Sequence, residues 1–417
     1  MKSAFLVAWR GLWRGRTLWT LLAAVIAIHF FLPGIVRSDG TDSGSFEMLV
    51  RIVCGAVHAL VCVASLSIGA GMFAREREND TLPLSLVRPA SVLSVAAGRW
   101  MAIVLLFACV IIANAALLNA TVRKNGFSPP DCRLHIAPSL PSAEKSAALV
   151  MDRFLNDERT PEAVRKSSRA SVLALLVAKE NERYEVIRPG QSVTWPFPEV
   201  TGDSIAVRTR FSTMFGMKTD MNGVFRYNGA MCAVSNSTQA VIEAPLVPDS
   251  EMNTNRSHAL SFTNTGNSDV MLRPRRDVEM LAPGDSFVAN SIRASMEMLA
   301  LSGLLAAFGL FLSSALSRPV ALFTASVLLA AAMMAPDAVA QFPDEFNATV
   351  GEKVGLAVSR AVIAFTSAVD GISPVSDLSS GRMIVSDDVI HAVVFDLIVF
   401  PSLLLALAAV MLRRKTK

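Results

Sequence analysis

Six apolar stretches divide this chain into two groups of three, with a polar insert of about 170 residues between the groups. A membrane-spanning helix needs roughly 20 mostly apolar residues, and four of the six stretches meet that length. The fifth is shorter, and Asp396 interrupts the sixth. Because lipid offers the backbone no hydrogen-bond partner, we expect all six to be helical. The stretches cover residues 18–36, 52–73, 101–118, 296–316, 320–335 and 389–412.

The composition also favours a membrane protein. Hydrophobic residues make up 52% of the 417 residues, and the mean hydropathy is +0.44, which is high for a water-soluble globule. This length accommodates a helical bundle and one further domain. The formal net charge of +4 is small and scattered, so the charge pattern predicts membrane lipid and not nucleic acid as a partner.

Positive charge lies mainly on one side of the membrane if all six stretches span it. Basic residues precede the first stretch, separate the second from the third and the fourth from the fifth, and follow the sixth. Because Lys and Arg concentrate in cytoplasmic segments, we expect both termini in the cytoplasm and the insert outside it. The residues are Lys2, Arg10, Arg14, Arg16, Arg75, Arg77, Arg88, Arg99, Arg318, Arg413, Arg414, Lys415 and Lys417.

The N-terminal residues 1–17 combine aromatic and basic side chains at helical spacing. This pattern predicts either a helix in the lipid headgroup layer or a plain basic segment that sets topology. The apolar run that follows is long for a signal peptide and has no small-x-small cleavage site after it, so we expect an uncleaved first span. The apolar stripe of the N-terminal segment consists of Phe5, Leu6, Trp9, Leu12 and Trp13.

The insert has a composition unlike the spans. Residues 142–183 are rich in Ala, Glu, Lys and Arg, which predicts one or two helices with a break near Pro161. After Tyr184, short alternating or β-branched segments are separated by Gly, Pro, Asn and Asp, which predicts a small antiparallel sandwich or jelly roll. The predicted strand segments are residues 204–211, 223–234, 239–244, 259–264 and 270–272.

The predicted fold is therefore a polytopic α-helical membrane protein with six transmembrane helices. Three precede and three follow an α+β extracytoplasmic insert that is β-rich in its C-terminal half. Residues 1–121 form the N-terminal helix, the first three spans and a cytoplasmic segment at 74–98. Residues 122–289 form the insert, and residues 290–417 form the last three spans.

The loop between the fifth and sixth spans, residues 336–388, is too long for a simple turn. Within it, residues 354–369 are apolar but number only about 16, which is marginal for a span. We expect an interfacial or re-entrant helix outside the membrane. A spanning helix here would place the basic C-terminal tail outside, against the charge rule.

Cysteine and catalytic patterns add little. Cys132 and Cys232 lie in the insert, where an external compartment permits a disulfide, but two unpaired thiols are the alternative. The chain has no phosphate-binding loop, no G-x-S-x-G element and no histidines at metal-ligand spacing. We therefore expect no catalytic, cofactor-binding or metal site in this chain.

Small residues recur four apart within two spans. Ser65 and Gly69 do so in the second span, and Gly309 and Ser313 in the fourth. Such positions allow helix backbones to approach closely in lipid. The spacing predicts either tight packing within the chain or an interface that moves or dimerises.

The most specific local pattern follows the second span. Its sequence is Phe73-Ala-Arg-Glu-Arg-Glu-Asn-Asp-Thr-Leu-Pro-Leu-Ser-Leu-Val-Arg-Pro-Ala-Ser-Val-Leu, and Gly98-Arg-Trp opens the next span. This segment resembles the cytoplasmic stretch of ABC-2 type transporter permeases. There, an E-R-E/G-T-L element, a leucine-rich run, a Pro and a basic residue occur in this order. Asp80 stands where that family usually has Gly.

Three further stretches strengthen the resemblance. Ser286-Phe-Val-Ala-Asn-Ser-Ile-Arg-Ala leads into the fourth span, and Leu316-Ser-Arg-Pro-Val-Ala joins it to the fifth. Asp377-Leu-Ser-Ser-Gly-Arg precedes the last span. Family members carry a similar N-x-x-R-A entry and a Pro-Val-Ala start. The resemblance covers about 250 membrane residues and leaves the insert unexplained.

The resemblance implies the permease half of an ATP-binding-cassette (ABC) exporter in the bacterial cytoplasmic (inner) membrane. A separate ABC ATPase subunit would bind ATP and Mg²⁺, and a second permease chain, identical or related, would complete the complex. The cytoplasmic segment would contact the ATPase and couple its closure to the bundle. The alternative is a charged anchor at a span end. The implied coupling residues are Arg75, Glu76, Arg77, Glu78, Thr81, Leu82, Leu86 and Pro89.

Three rival functions remain. A lipid-exporting permease of the lipopolysaccharide type also has three spans, an external jelly roll and three spans, but fits the E-R-E element less well. A mechanotransmitting ABC protein usually has one span before its insert, so the three predicted here count against this function. A membrane-anchored sensor or scaffold requires no ATPase. The sequence specifies neither the substrate nor the direction of transport.

Overall fold

The structure, a computed structural model, forms two compact units. The first contains the described residues up to Cys132 and from Asp285 onward, and the second contains those from Arg133 to Gly284. Each unit is presented by itself. The described residues are 1–35, 42–78, 91–124, 132–157, 160, 162–165, 169–200, 204–212, 221–236, 241–248, 258–327 and 374–415.

The first unit is helical throughout its described part. Its last long helix contains a π-helical segment, Ala392–Val399, between two α-helical parts. The helices are α1 (Lys2–Arg14), α2 (Thr17–Ile35), α3 (Asp42–Glu78), α4 (Val92–Lys124), α8 (Phe287–Ala315), α9 (318–327), α10 (Pro374–Ser379), α11 (Ser386–His391) and α12 (Phe400–Lys415), where α5 to α7 belong to the second unit.

Five helices in the described part of the chain are long and apolar enough to cross a membrane, so the chain is a multi-pass membrane protein by length and composition. They correspond to the first, second, third, fourth and sixth predicted stretches. Of the fifth stretch, the structure describes only the part within α9, so the count of six remains a prediction. The five are Thr17–Gly34, Ser45–Glu78, Val92–Lys124, Phe287–Ala315 and Ser386–Arg413.

Helices α3 and α8 cross at two glycines. A Cβ added to Gly309 would lie 2.6 Å from the Leu66 carbonyl oxygen, and one added to Gly69 would collide with the Ala306 carbonyl. The helix backbones therefore touch directly, and any larger side chain would separate them. The small-residue spacing reflects packing within the chain at these two positions.

The second unit contains eleven described strands and three described helices. Every strand pair is antiparallel. The strands are β1 (Arg133–Ile136), β2 (Glu185–Ile187), β3 (Ser192–Pro196), β4 (Ala206–Arg210), β5 (Met221–Tyr227), β6 (Ala230–Asn236), β7 (Val241–Pro245), β8 (Val247–Pro248), β9 (Ala259–Asn264), β10 (Val270–Leu272) and β11 (Val278–Pro283), and the helices are α5 (Ala143–Asn156), α6 (Glu162–Arg165) and α7 (Arg169–Asn181).

The strands form two main sheets around one core. One sheet has the order β1-β11-β4-β7 and the other has the order β3-β9-β5-β6-β8, while β10 pairs with β2. Inward residues of both sheets meet in a single hydrophobic cluster, where the rings of Phe225 and Phe262 lie 4.7 Å apart. The alternating burial along β5 and β9 is the period-two pattern of a half-buried strand. The β-rich half of the insert is therefore present as expected.

One strand prediction was wrong in detail. Residues 223–234 were expected as a single segment, but β5 ends at Tyr227 and β6 begins at Ala230. Asn228 and Gly229, with φ of 47° and 77°, form the two-residue turn between them. Both central residues of a type I′ hairpin turn need positive φ, and Asn-Gly is its preferred pair.

Helix α5 of the insert begins at a capping serine. The Ser142 side chain accepts a hydrogen bond from the Lys145 amide at the start of α5. Beyond α7, Arg273 donates to Glu182 at 2.7 Å and to Asp277 at 3.0 Å. Hydrogen bonds from Arg273 and Arg276 lower the pKa of Glu182 below its ordinary value. This pairing ties the chain after α7 to the turn between β10 and β11.

The glycine crossing yields a test of the helical unit. Replacing Gly69 with Ala should lower the stability of the purified protein by about 1–3 kcal/mol, because the new methyl group meets backbone atoms that cannot rotate away. Gly71→Ala is the matched control, since a Cβ there lies 3.8 Å from its nearest neighbour, the flexible Arg318 side chain. Thermal unfolding in detergent measures both. Equal melting temperatures for the two variants would contradict the close crossing.

Candidate functional site

The candidate site is the end of α3, where the predicted coupling residues begin. Arg75 and Glu78 are exposed, whereas Glu76 and Arg77 are partly buried. Residues three apart share a helix face, so Arg75 and Glu78 point one way while the two residues between them point back into the unit. The four charges thus divide into an outward pair and an inward pair.

Glu76 of the inward pair binds the start of α4. Its Oε2 lies 2.6 Å from an Arg99 guanidinium nitrogen, and the Arg99 side chain is only 6% exposed. The Cζ atom of the Arg99 guanidinium lies 4.5 Å from the centre of the Phe73 ring, which adds a cation–π contact. Arg99 was predicted as the basic residue that opens the third span. The structure adds that its charge is neutralised by α3.

Arg77 of the inward pair binds the end of α8. It donates to the Ser313 carbonyl at 3.3 Å and to the Leu316 carbonyl. The last carbonyls of a helix have no partner within the helix, and a cation there also opposes the negative end of the helix dipole. Arg77 therefore caps α8 from the neighbouring helix. This contact joins two of the motifs on which the family resemblance rests.

The rest of the predicted coupling segment lies outside the described residues. Thr81, Leu82, Leu86 and Pro89 are among residues 79–90, between α3 and α4. Of the predicted segment 74–98, the structure therefore describes residues 74–78 and 91–98. Its coupling role stays a prediction.

The second pair of resembling motifs also meets in the structure. The Asn290 side chain donates to the Arg382 carbonyl at 2.8 Å and accepts from the Ile384 amide at 2.8 Å. Arg293 donates to the Ile384 carbonyl at 3.3 Å. The N-x-x-R entry of α8 thus holds the chain that precedes the last membrane helix. All three hydrogen bonds join side chains of α8 to main-chain atoms of Arg382 and Ile384, so the N-x-x-R motif fixes the backbone of that segment.

Buried polar groups inside the helical unit form a second set of candidates. His29 Nε2 and Asn114 Oδ1 bond each other at 3.0 Å between α2 and α4, while Nδ1 of His29 has no hydrogen-bond partner among the described residues. Glu297 and Asp396 are 3% and 1% exposed, and Oδ1 of Asp396 has no hydrogen-bond partner among the described residues. Intramembrane acids are costly and commonly functional. In the sequence, both Glu297 and Asp396 are single acids within an apolar run. The sequence analysis singled out only Asp396, as an interruption of the sixth stretch.

The two cysteines of the insert do not form a disulfide in the structure. Cys132 packs in the core of the helical unit and Cys232 in the core of the β-rich unit. Burial raises the pKa of the Cys232 thiol to about 11, so it is protonated at neutral pH and is not a nucleophile. Among the described residues, no group of His, Cys, Asp and Glu is arranged to hold a metal ion.

The inward pair can be tested apart from any partner. Glu76→Gln should destabilise the purified protein by about 3 kcal/mol, because it leaves the buried Arg99 charge without its carboxylate. Glu78→Gln, which removes an exposed acid two residues away, should change stability by less than about 0.5 kcal/mol. A double-mutant cycle with Arg99→Met should show strong coupling for Glu76 and none for Glu78. Additive effects of Glu76→Gln and Arg99→Met would contradict the pairing.

Comparison with known proteins identified no relative. No protein-family model, no curated protein and no solved structure matches this chain. The function is therefore argued from the residues and their geometry.

Proposed function

We propose that this chain is the membrane-spanning permease subunit of an ABC-2 type exporter in the bacterial cytoplasmic membrane. It would move its substrate with energy from ATP hydrolysis by a separate subunit. The observation that carries the proposal is the E-R-E element at the end of a membrane helix, with two charges left facing outward. Five apolar helices and a separate β-rich unit support a permease over a soluble enzyme.

The outward pair is the proposed contact with the ATPase. Arg75 and Glu78 lie on one face of the last turn of α3, immediately before residues 79–90. Exposed charges on a helix face contribute little to folding, with a pair worth roughly 0–1 kcal/mol. Their free charges suit complementary charges on a partner, which set specificity and association rate.

The inward pair supplies a route from that contact into the bundle. Glu76 connects the end of α3 to α4, and Arg77 connects it to α8. A displacement of the α3 end would therefore act on three membrane helices together. In this mechanism ATP and Mg²⁺ bind to the ATPase subunits, and a second permease chain forms the other half of the pathway.

A second candidate function is favoured by the β-rich unit. Its two antiparallel sheets share one core, as in the jelly-roll domains of lipid-exporting permeases of the lipopolysaccharide type. On this alternative, the unit would receive a lipid after it leaves the membrane. Retention of lipid by the purified unit would favour it over the first candidate.

The outward pair can be tested by exchanging its charges. In full-length protein, Arg75→Glu with Glu78→Lys should reduce co-purification of an ABC ATPase at least tenfold, because reversed charges meet like charges on the partner. The control exchanges Glu47 and Arg51, an exposed pair 3.4 Å apart near the other end of the same helix. That variant should retain the ATPase.

Yield and thermal stability should stay at the wild-type level in both variants, since neither pair lies in the core. Wild-type recovery of the ATPase with the Arg75/Glu78 variant, together with normal stimulated hydrolysis, would overturn the contact assignment. Failure of the wild-type chain to retain any ABC ATPase would overturn the proposed function itself.

The topology has a separate test. A reporter active only in the cytoplasm should work when fused after Lys417. A reporter active only outside should work when inserted at residues 237–240, between β6 and β7 of the insert. The expectation follows from the basic residues grouped on one side of the membrane. An external C-terminus would contradict the six-span arrangement.

A further inference from the structure

The turn between α1 and α2 forms a distinct corner of the helical unit. We define the α1–α2 corner as residues 10–19. Helix α1 ends at Arg14, Arg16 adopts the left-handed conformation with φ of 60°, and α2 begins at Thr17. Left-handed backbone is uncommon for residues other than glycine. The corner therefore holds a specific conformation that presents its side chains in a defined arrangement.

The opposite face of α1 is fixed against the unit. Phe5, Trp9 and Leu12 join the hydrophobic core, at the spacing of one helix face. At Gly98 of α4, an added Cβ would lie 2.8 Å from the Met1 carbonyl oxygen, so the two helices are in backbone contact. Three of the five residues of the apolar stripe are thus packed inside the unit, whereas Leu6 and Trp13 stay exposed. The other face of α1 is left outward.

Three arginines occupy the outward face and the turn. Arg10, Arg14 and Arg16 are all exposed, and none forms an ion pair with another described residue. Residues 1–38 contain no Asp or Glu, so the local chain supplies no counter-charge. Arg10 and Arg14 are four apart, and like charges at that spacing destabilise a helix. An external anion would relieve this repulsion.

Two exposed tryptophans border the arginines. Trp13 is 46% and Trp19 is 53% exposed, and their rings meet edge to face with centroids 5.3 Å apart across the turn. Tryptophan concentrates at the boundary between lipid chains and headgroups, where its ring is apolar and its N–H is polar. The corner therefore combines headgroup-level aromatic rings with unpaired guanidinium groups at the start of a membrane helix.

We propose that the α1–α2 corner binds the phosphate headgroup of an anionic phospholipid. Guanidinium groups bind phosphate oxygens through paired, charge-assisted hydrogen bonds, and the tryptophans place that phosphate at headgroup depth. The lipid would complete the corner by neutralising charges that form no ion pair with any acid among the described residues. This inference depends on the chain being embedded in a membrane and is independent of the proposed ATPase partner.

Lipid titration of the purified full-length chain tests the site. In detergent, phosphatidylglycerol should bind at least tenfold more tightly than phosphatidylcholine, with bound lipids counted by native mass spectrometry. Arg14→Gln with Arg16→Gln should weaken phosphatidylglycerol binding about 25-fold, which is about fivefold for each arginine. Arg14→Lys with Arg16→Lys should retain part of the affinity, because charge remains without the paired geometry.

The matched control removes two exposed basic residues elsewhere at a helix end. Arg123 and Lys124 close α4, and both are exposed. Changing both to Gln should alter phosphatidylglycerol affinity less than twofold. An equal loss in this control would show general attraction to basic residues and overturn the site.

Two other outcomes would also overturn it. The first is equal binding of phosphatidylcholine. The second is displacement of the lipid by an equal concentration of glycerol phosphate, which would indicate a site for a soluble phosphate. If the Arg14/Arg16 variant gives poor yield, Arg10→Gln with Arg14→Gln is used instead. It also removes two positive charges, but it leaves Arg16 of the turn unchanged. Wild-type affinity in that variant contradicts the proposal.

Discussion

The backbone contact between α3 and α8 determines how the charged end of α3 is used. Gly69 and Gly309 bring these helices together without intervening side chains. Arg77 follows Gly69 by about two helical turns, and Ser313 follows Gly309 by about one. The crossing therefore sets Arg77 beside the last carbonyls of α8, which it caps. A wider crossing would leave those carbonyls without this partner.

That arrangement gives the four consecutive charges at residues 75–78 two different tasks. Glu76 and Arg77 make contacts within the chain, with α4 and α8. Arg75 and Glu78 remain exposed at the same turn. Reversing all the acids of this element together would therefore mix loss of folding with loss of a partner. Separating the inward from the outward pair makes the proposed coupling role testable.

Much of the architecture was predictable because it follows from periodicity. Apolar runs predicted five helices that the structure describes, and alternation after Tyr184 predicted strands. The pairing of Glu76 with Arg99 was not predictable, because it depends on how two helices rotate about their axes. The turn at Asn228 and Gly229 has a local signal in the sequence, since Asn-Gly is the preferred pair of a type I′ hairpin turn. The N-terminal stripe showed an apolar face but not that α4 would approach α1 closely at Gly98.

The central claim is that the outward face of the α3 end contacts an ATPase subunit. Site-specific photo-crosslinking of the full-length chain in its native membrane tests this most directly. A crosslinker placed at Arg75 or Glu78 should capture an ABC ATPase, and one at Glu47 or Arg51 should not. Capture of no ATPase from positions 75 and 78, in membranes where the chain is correctly inserted, would contradict the account.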